Sequence, residues 1–160
     1  APRRVMFLDP NIREIFIQDR QKHLARMMRM IALADIVKLS DEDLAWFAEP
    51  GEEHAVIRRW LALGPKLIVV TRGADGADAW TANFHLHVPG IRVTVADTVG
   101  AGDTVNAGIL ASLSQAGLLE KPKLVTLSRE QVRRAVDLGM RAAAVTVSRP
   151  GANPPWDHEL

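Results

Sequence analysis

Leu67-Ile68-Val69-Val70 is an unbroken apolar run, stopped on one side by Gly64-Pro65 and on the other by Thr71-Arg72-Gly73. A strand that is apolar on both faces must be covered on both. The run therefore predicts a parallel strand inside a sheet with helices above and below it. Val5–Leu8 and Ile36–Leu39 are shorter runs of the same kind. Between these runs the spacing turns helical, with Leu24, Met27, Met28 and Ile31 on one face and Val56, Ile57, Trp60 and Leu61 marking another helix. Ser40 before Asp41-Glu42-Asp43 has the form of an N-cap with an acidic first turn, and Pro50-Gly51 breaks the helix it opens.

Past the central run, Ala77–Thr81 and Phe84–Val88 predict a hairpin turning near Ala82-Asn83, and Ile91–Val95 predicts one more strand. Two long helices follow. One runs from near Gly102 to near Gly117. The other carries Val132, Ala135, Val136, Gly139, Met140, Ala143, Ala144 and Val147 on a single stripe. Ser128-Arg129-Glu130-Gln131 is a capping box at its entry, and Pro150-Gly151 ends it. Strands alternating with helices specify an α/β domain with a mostly parallel sheet flanked by helices.

A chain of 160 residues is one domain's worth of polypeptide. Its net charge of +1 comes from mixed signs, which gives no basic face for nucleic acid and no polybasic tract for a membrane. No apolar run is long enough to span a bilayer. With no cysteine, disulfides and thiolate metal sites are excluded, and a reducing cytoplasm is the expected compartment. The sequence opens Ala1-Pro2-Arg3-Arg4 and enters the first apolar run at once, so the expectation is a C-terminal portion (1–160) whose N-terminal part is absent. His85 and His87 fall on one strand face and read as surface residues.

The chemistry is concentrated between Thr94 and Gly108, where a strand-like stretch enters Gly100-Ala101-Gly102 and then a helix. Free N–H groups at a helix start attract anions, and side chains this small let phosphate oxygens come close to the backbone. The Lys-Ser/Thr of a Walker A loop is replaced by Asp103-Thr104. An acid in this place is either a helix cap or a base for an attacking hydroxyl, and the residues alone leave both open.

Asp97-Thr98-Val99-Gly100-Ala101-Gly102-Asp103, continued by Ala107-Gly108-Ile109-Leu110, resembles the second signature of the ribokinase-like, PfkB carbohydrate kinase family. The resemblance implies that Asp103 is the catalytic base beside the acceptor, and that Gly100, Ala101 and Gly102 form the anion hole for the transferred phosphoryl group. Thr71-Arg72-Gly73-Ala74-Asp75-Gly76 resembles the family's Thr-x-Gly-x-x-Gly turn, which implies that Thr71, Arg72, Gly73 and Gly76 meet ATP phosphates. Asp9-Pro10-Asn11-Ile12-Arg13 resembles a segment of the fructokinase and 2-keto-3-deoxygluconate kinase branches, which implies that Asn11 lies near the acceptor and Arg13 near the acceptor or the transferred phosphate.

Val37–Leu44 is similar to the family's Lys-Pro-Asn-x-x-Glu stretch, which supports Mg²⁺ and phosphate binding. Here Ser40 stands for Asn and Asp43 for Glu, and Asp43 becomes the expected metal-side carboxylate. Ala142–Ala152 resembles the closing helix and loop. The resemblance implies an adenine wall including Met140, and a K⁺ held by Asp97 with the loop from Ser148 to Gly151. The implied fold is the C-terminal portion of a three-layer ribokinase-like domain. The implied activity is ATP-dependent phosphorylation of a sugar primary hydroxyl. Fructose comes first, with 2-keto-3-deoxygluconate or ribose as alternatives, and a catalytically incomplete nucleotide-binding portion is the reading of another class. ATP and sugar are the expected partners, and a homodimer is expected of the full-length protein.

Overall fold

The computed structural model describes residues 4–48 and 51–160. A five-stranded sheet runs in the order β1 (Phe7–Leu8), β2 (Ile36–Ser40), β3 (Leu67–Thr71), β4 (Ala77–Trp80) and β5 (His85–Val88). β1, β2 and β3 are parallel, and β4 and β5 add an antiparallel hairpin at one edge. The parallel strands are separated by α1 (Arg20–Leu33), α2 (Asp41–Phe47) and α3 (Glu53–Leu63), while α4 (Ala101–Gln115), α5 (Lys121–Leu124) and α6 (Arg129–Val147) follow the hairpin.

β2 and β3 are buried on both faces, as their apolar runs require, while β1 at the edge is half-buried. Leu67 and Val69 face a core shared with Val105, Ile109, Val132 and Val136 of α4 and α6. Ile68 and Val70 face a second core with Ile31, Leu44, Ile57 and Trp60 of α1, α2 and α3. β2 alternates the same way, with Ile36 in the first core and Val37 and Leu39 in the second. Period-2 alternation therefore turns Lys38 toward the α4 side. α4 and α6 form the tightest helix pair. A Cβ on Gly108 would stand 2.6 Å from the Cα of Gly139, so only two glycines allow this backbone-to-backbone approach.

Helix starts follow the capping rules. Ser40 accepts from the N–H of Asp43 and the Asp43 side chain accepts from the N–H of Ser40, a reciprocal box; Ser128 and Gln131 form another at α6. α2 ends at Phe47, and the expected break at Pro50-Gly51 lies partly outside the described residues. The first strand is shorter than the Val5–Leu8 run, although Met6 is still tied across it: its O accepts from the N–H of Asp35 and of Ile36 at 2.8 and 3.1 Å.

One expected element does not form. Residues 91–95 make no ladder, and Ile91, Val93 and Val95 are exposed. Alternating apolar residues give a segment the preference for a strand, but a strand exists only when its backbone pairs. The tie recorded here comes at the segment's end, where the N–H groups of Ala96 and Asp97 donate to the carbonyl of Val147. Among the described residues, no helix is long and apolar enough to cross a membrane.

Candidate functional site

The register sets Leu8 beside Val37 and Ser40 beside Thr71, so the chain leaves β1, β2 and β3 at the same end of the sheet. Ligands of open α/β sheets bind beyond this end. The segments 9–13, 40–43 and 71–76 follow these strands directly, and Lys38 of β2 reaches the start of α4.

Gly100 is the N-cap of α4 at φ 80°, a left-handed conformation that glycine adopts without strain. The first i→i−4 bond of the helix runs from Thr104 N to Gly100 O at 2.9 Å, which leaves the N–H groups of Gly102 and Asp103 ahead of the ladder. Asp103 is in this first turn, exposed, and makes no side-chain capping bond to the helix. The capping alternative for this acid is therefore not what the structure shows. Thr104 turns inward, and its hydroxyl accepts from the buried hydroxyl of Thr146 at 3.1 Å, joining the start of α4 to α6.

Asp97, at the head of the same motif, ties two loops together. Its carboxylate accepts from Val99 N at 3.0 Å and from Gly151 N at 2.9 Å. Those backbone donors, Val99 first and Gly151 second, hold its carboxyl below the usual carboxylate range. The juxtaposition of Asp97 with the loop after α6 is the one expected from the sequence. Met140 is 7% exposed and packs in the core beneath the sheet, so it stands behind the surface rather than on it.

The loop 9–13 is shaped by a buried carboxylate. Asn11 takes φ 45°, a left-handed conformation that Asn tolerates better than most residues. Ile12 N donates to Asp43 Oδ1 at 2.8 Å and Ser40 N to Asp43 Oδ2 at 3.3 Å. Asp43 thus has both oxygens on backbone N–H groups and is 7% exposed. Arg13 is exposed, and its guanidinium donates to the carbonyl of Ile12. In the 71–76 turn, Thr71 donates its hydroxyl to Leu39 O at 3.4 Å, while Gly73 and Gly76 both have positive φ.

Arg72 points away from the turn. Its Nε donates to Asp78 at 2.8 Å and a terminal nitrogen to Glu53 at 2.9 Å. The bond to Asp78 comes first among the causes that hold the guanidinium pKa up, against the opposing effect of burial. Asp78 also accepts from His85 and His87 on β5. Burial pushes its carboxyl up, but the bonds from Arg72, His87 and His85 outweigh that and leave it below the ordinary range.

The sequence reading missed a polar cluster beside Gly102. Asp9 Oδ2 accepts from Lys38 Nζ at 3.1 Å and from Asn106 Nδ2 at 2.9 Å. Lys38 is 4% exposed. A signal was present, since a lysine interrupts the apolar run Ile36-Val37-Lys38-Leu39 of a strand buried on both sides. Among the described residues, no group of three or more His, Asp or Glu side chains is gathered to hold a metal ion.

The sequence matches the pfkB family carbohydrate kinase over residues 1–159. A fructokinase from Rhizobium leguminosarum bv. trifolii is 51% identical over 137 residues, covering 86% of this chain and 42% of the relative. The fold superposes on a fructokinase from Xylella fastidiosa with bound ATP at a TM-score of 0.81 and 26% identity, covering 92% of this chain and 47% of that one. A double mutant of fructokinase from Vibrio cholerae O395, with fructose, ADP and potassium ion bound, gives a TM-score of 0.75 at 31% identity, with 91% and 45% covered. The chain thus spans less than half the length of these relatives.

Proposed function

The chain belongs to the pfkB family of carbohydrate kinases, and from that premise we propose that it is the ATP-binding, phosphoryl-transferring portion of a fructokinase. The observation that carries this reading is the first turn of α4, which presents uncommitted backbone N–H groups and an exposed carboxylate, Asp103, at the ligand-binding end of the sheet. An anion cradle and a base on one turn are what in-line phosphoryl transfer needs.

Asp103 takes the proton of a primary sugar hydroxyl as its oxygen attacks the γ-phosphorus of ATP. The bond from that phosphorus to the β,γ-bridging oxygen breaks, and ADP leaves with the electron pair. The N–H groups of Gly100 and Gly102 meet the charge on the oxygens of the moving group, while that of Ala101 donates to Thr98 O at 3.3 Å and shapes the turn between them. Thr71, Gly73 and Gly76 line the path of the other phosphates, and Arg72 holds this turn in place through Asp78 and Glu53. Met140 backs the adenine wall from within the core. Asn11 and Arg13 stand on the acceptor side, on a loop held by Asp43.

Mg²⁺, when bound with ATP, would supply charge neutralisation to its phosphates. Asp43 does not fit as its direct ligand, because both oxygens are buried on backbone N–H groups. Asp97 does fit a K⁺. It accepts one bond at each oxygen, is accessible to solvent, and lies against the loop that ends α6. Its carboxylate and that loop's carbonyls would hold the ion. We place the protein in the cytoplasm, where ATP and free sugars meet.

Phosphoryl transfer from ATP to fructose, 2-keto-3-deoxygluconate and ribose, measured with the native gene product that contains this sequence, tests the reading. Fructose is expected to be the best acceptor. Preference for another sugar corrects the substrate, and phosphorylation of none of them, with ATP still bound, shows a nucleotide-binding module instead.

A further inference from the structure

We propose that Asp43 is a positioning residue for the acceptor loop: through Ile12 it sets where Asn11 and Arg13 stand, and it takes no part in holding the metal. The proposal rests on the kinase reading and replaces the metal-side role that the resemblance gave this carboxylate.

The two bonds of Asp43 are unequal. Oδ2 closes the capping box on Ser40 N at 3.3 Å, whereas Oδ1 accepts from Ile12 N at 2.8 Å. A capping box is ordinarily closed by Glu or Gln, and the shorter Asp reaches the N-cap only at the long end of the range. The closer contact is the one to the loop, 31 residues away in sequence. A carboxylate holds an N–H more strongly than a neutral acceptor does. Water competes little for this bond, since Asp43 is 7% exposed. A cation brought to either oxygen would also meet the positive end of a backbone N–H already seated there.

Ile12 is the point through which the loop is gripped. Its N–H is on Asp43, and its carbonyl accepts from the Arg13 guanidinium at 2.8 Å. Its side chain is 9% exposed and packs with Met27 of α1 and Trp46 of α2. Trp46 stands three residues after Asp43, so the two are neighbours on α2 and one helix holds both the backbone and the side chain of Ile12. Asn11 and Arg13, on either side, are exposed. Asn11 has φ 45°, and a non-glycine residue keeps such a conformation only where its surroundings impose it. The anchored Ile12 imposes it here. Release from Asp43 frees the Ile12 peptide, and with it both the turn at Asn11 and the carbonyl that places Arg13.

The test uses the native gene product that contains this sequence, with the sugar it phosphorylates best. Asp43→Asn keeps the size and removes the charge, and Asp43→Glu restores the acid of the family's stretch. In Asp43→Asn the sugar KM is expected to rise about tenfold, with the ATP KM and the Mg²⁺ concentration at half-maximal rate within about twofold of wild type. Asp43→Glu is expected to raise the sugar KM as well, because a site this buried does not take another methylene without moving Ile12. Calorimetry of ADP binding with and without Mg²⁺ should show the same gain from the metal in both variants as in wild type. That gain does not depend on turnover, and ADP binding itself reports that the fold is intact. A raised Mg²⁺ requirement or a lost Mg²⁺ gain in Asp43→Asn overturns the proposal and returns Asp43 to the metal. An unchanged sugar KM in both variants overturns it too. Wild type that phosphorylates no sugar overturns the kinase reading itself.

Discussion

Two lysine–aspartate pairs brace β2, and they are built the opposite way round. At the strand's entry Asp35 is the buried partner. Its side chain is 11% exposed and accepts from Met6 N at 2.7 Å and from Lys121, whose side chain is 28% exposed. Toward the exit the lysine is buried: the side chain of Lys38 is 5% exposed and that of Asp9 20%. A buried carboxylate that accepts a backbone N–H and an ammonium is satisfied, and the lysine beside it still reaches water. This pair is a clasp between α5 and the first two strands. A buried ammonium with one shared acceptor is short of acceptors, and it faces a helix start that has no side-chain cap. Which member of an ion pair is buried thus distinguishes the structural end of this sheet from the end where we propose the reaction, the reactive end.

The comparison breaks if the two ends do not respond differently. The largest effect is expected at the reactive end. Asp103→Asn in the native gene product should lower turnover by at least about a hundredfold, with ATP affinity and the urea midpoint near wild type. Turnover close to normal would remove Asp103 from the role of base. At the structural end, Asp35→Ala should cost about 2 kcal/mol of stability by urea denaturation and leave nucleotide affinity unchanged. A selective loss of nucleotide binding there would erase the distinction between the two ends.

The smallest effect concerns Asp78, which belongs to neither pair but anchors the 71–76 turn through Arg72. Its carboxyl is held below the ordinary range in the folded state, so its contribution to stability is complete above the unfolded value of about 3.9. That contribution is lost as pH falls through the lower folded value. Urea midpoints should therefore place Asp78→Asn about 1 kcal/mol below wild type near neutrality, with the gap closing below about pH 4. A gap that does not change with pH would mean that the ionised form of Asp78 is not what holds Arg72.

The layered fold was legible in the sequence where one signal had one meaning. Leu67–Val70 had to be a strand covered on both faces, and Ser128 with Gln131 had to open a helix. Residues 91–95 carried the alternation of a strand, but pairing depends on a neighbour that no local pattern supplies. Asp43 shows the same limit at the level of a side chain. Three residues after Ser40 it was legible as a helix-start acid, yet its second oxygen serves Ile12, 31 residues away in sequence. The helix start at Gly100–Gly102 was legible because the motif is contiguous. The Asp9–Lys38–Asn106 cluster was not, since Asp9 and Asn106 are 97 residues apart and only the topology brings them together.

The bond from Asp97 to Gly151 and the hydroxyl pair Thr104–Thr146 attach the two ends of the signature to the last turn of α6 and the loop that leaves it. Residues 97 to 104 are therefore a short arch with both feet on one abutment. Gly108 seated on Gly139 acts as a detent one turn further along and stops α4 from sliding against that abutment. An arch pinned in this way has no slack to take up for a ligand. Its curvature is set beforehand by the packing of two helices, so any ligand seated there has to match a shape that already exists.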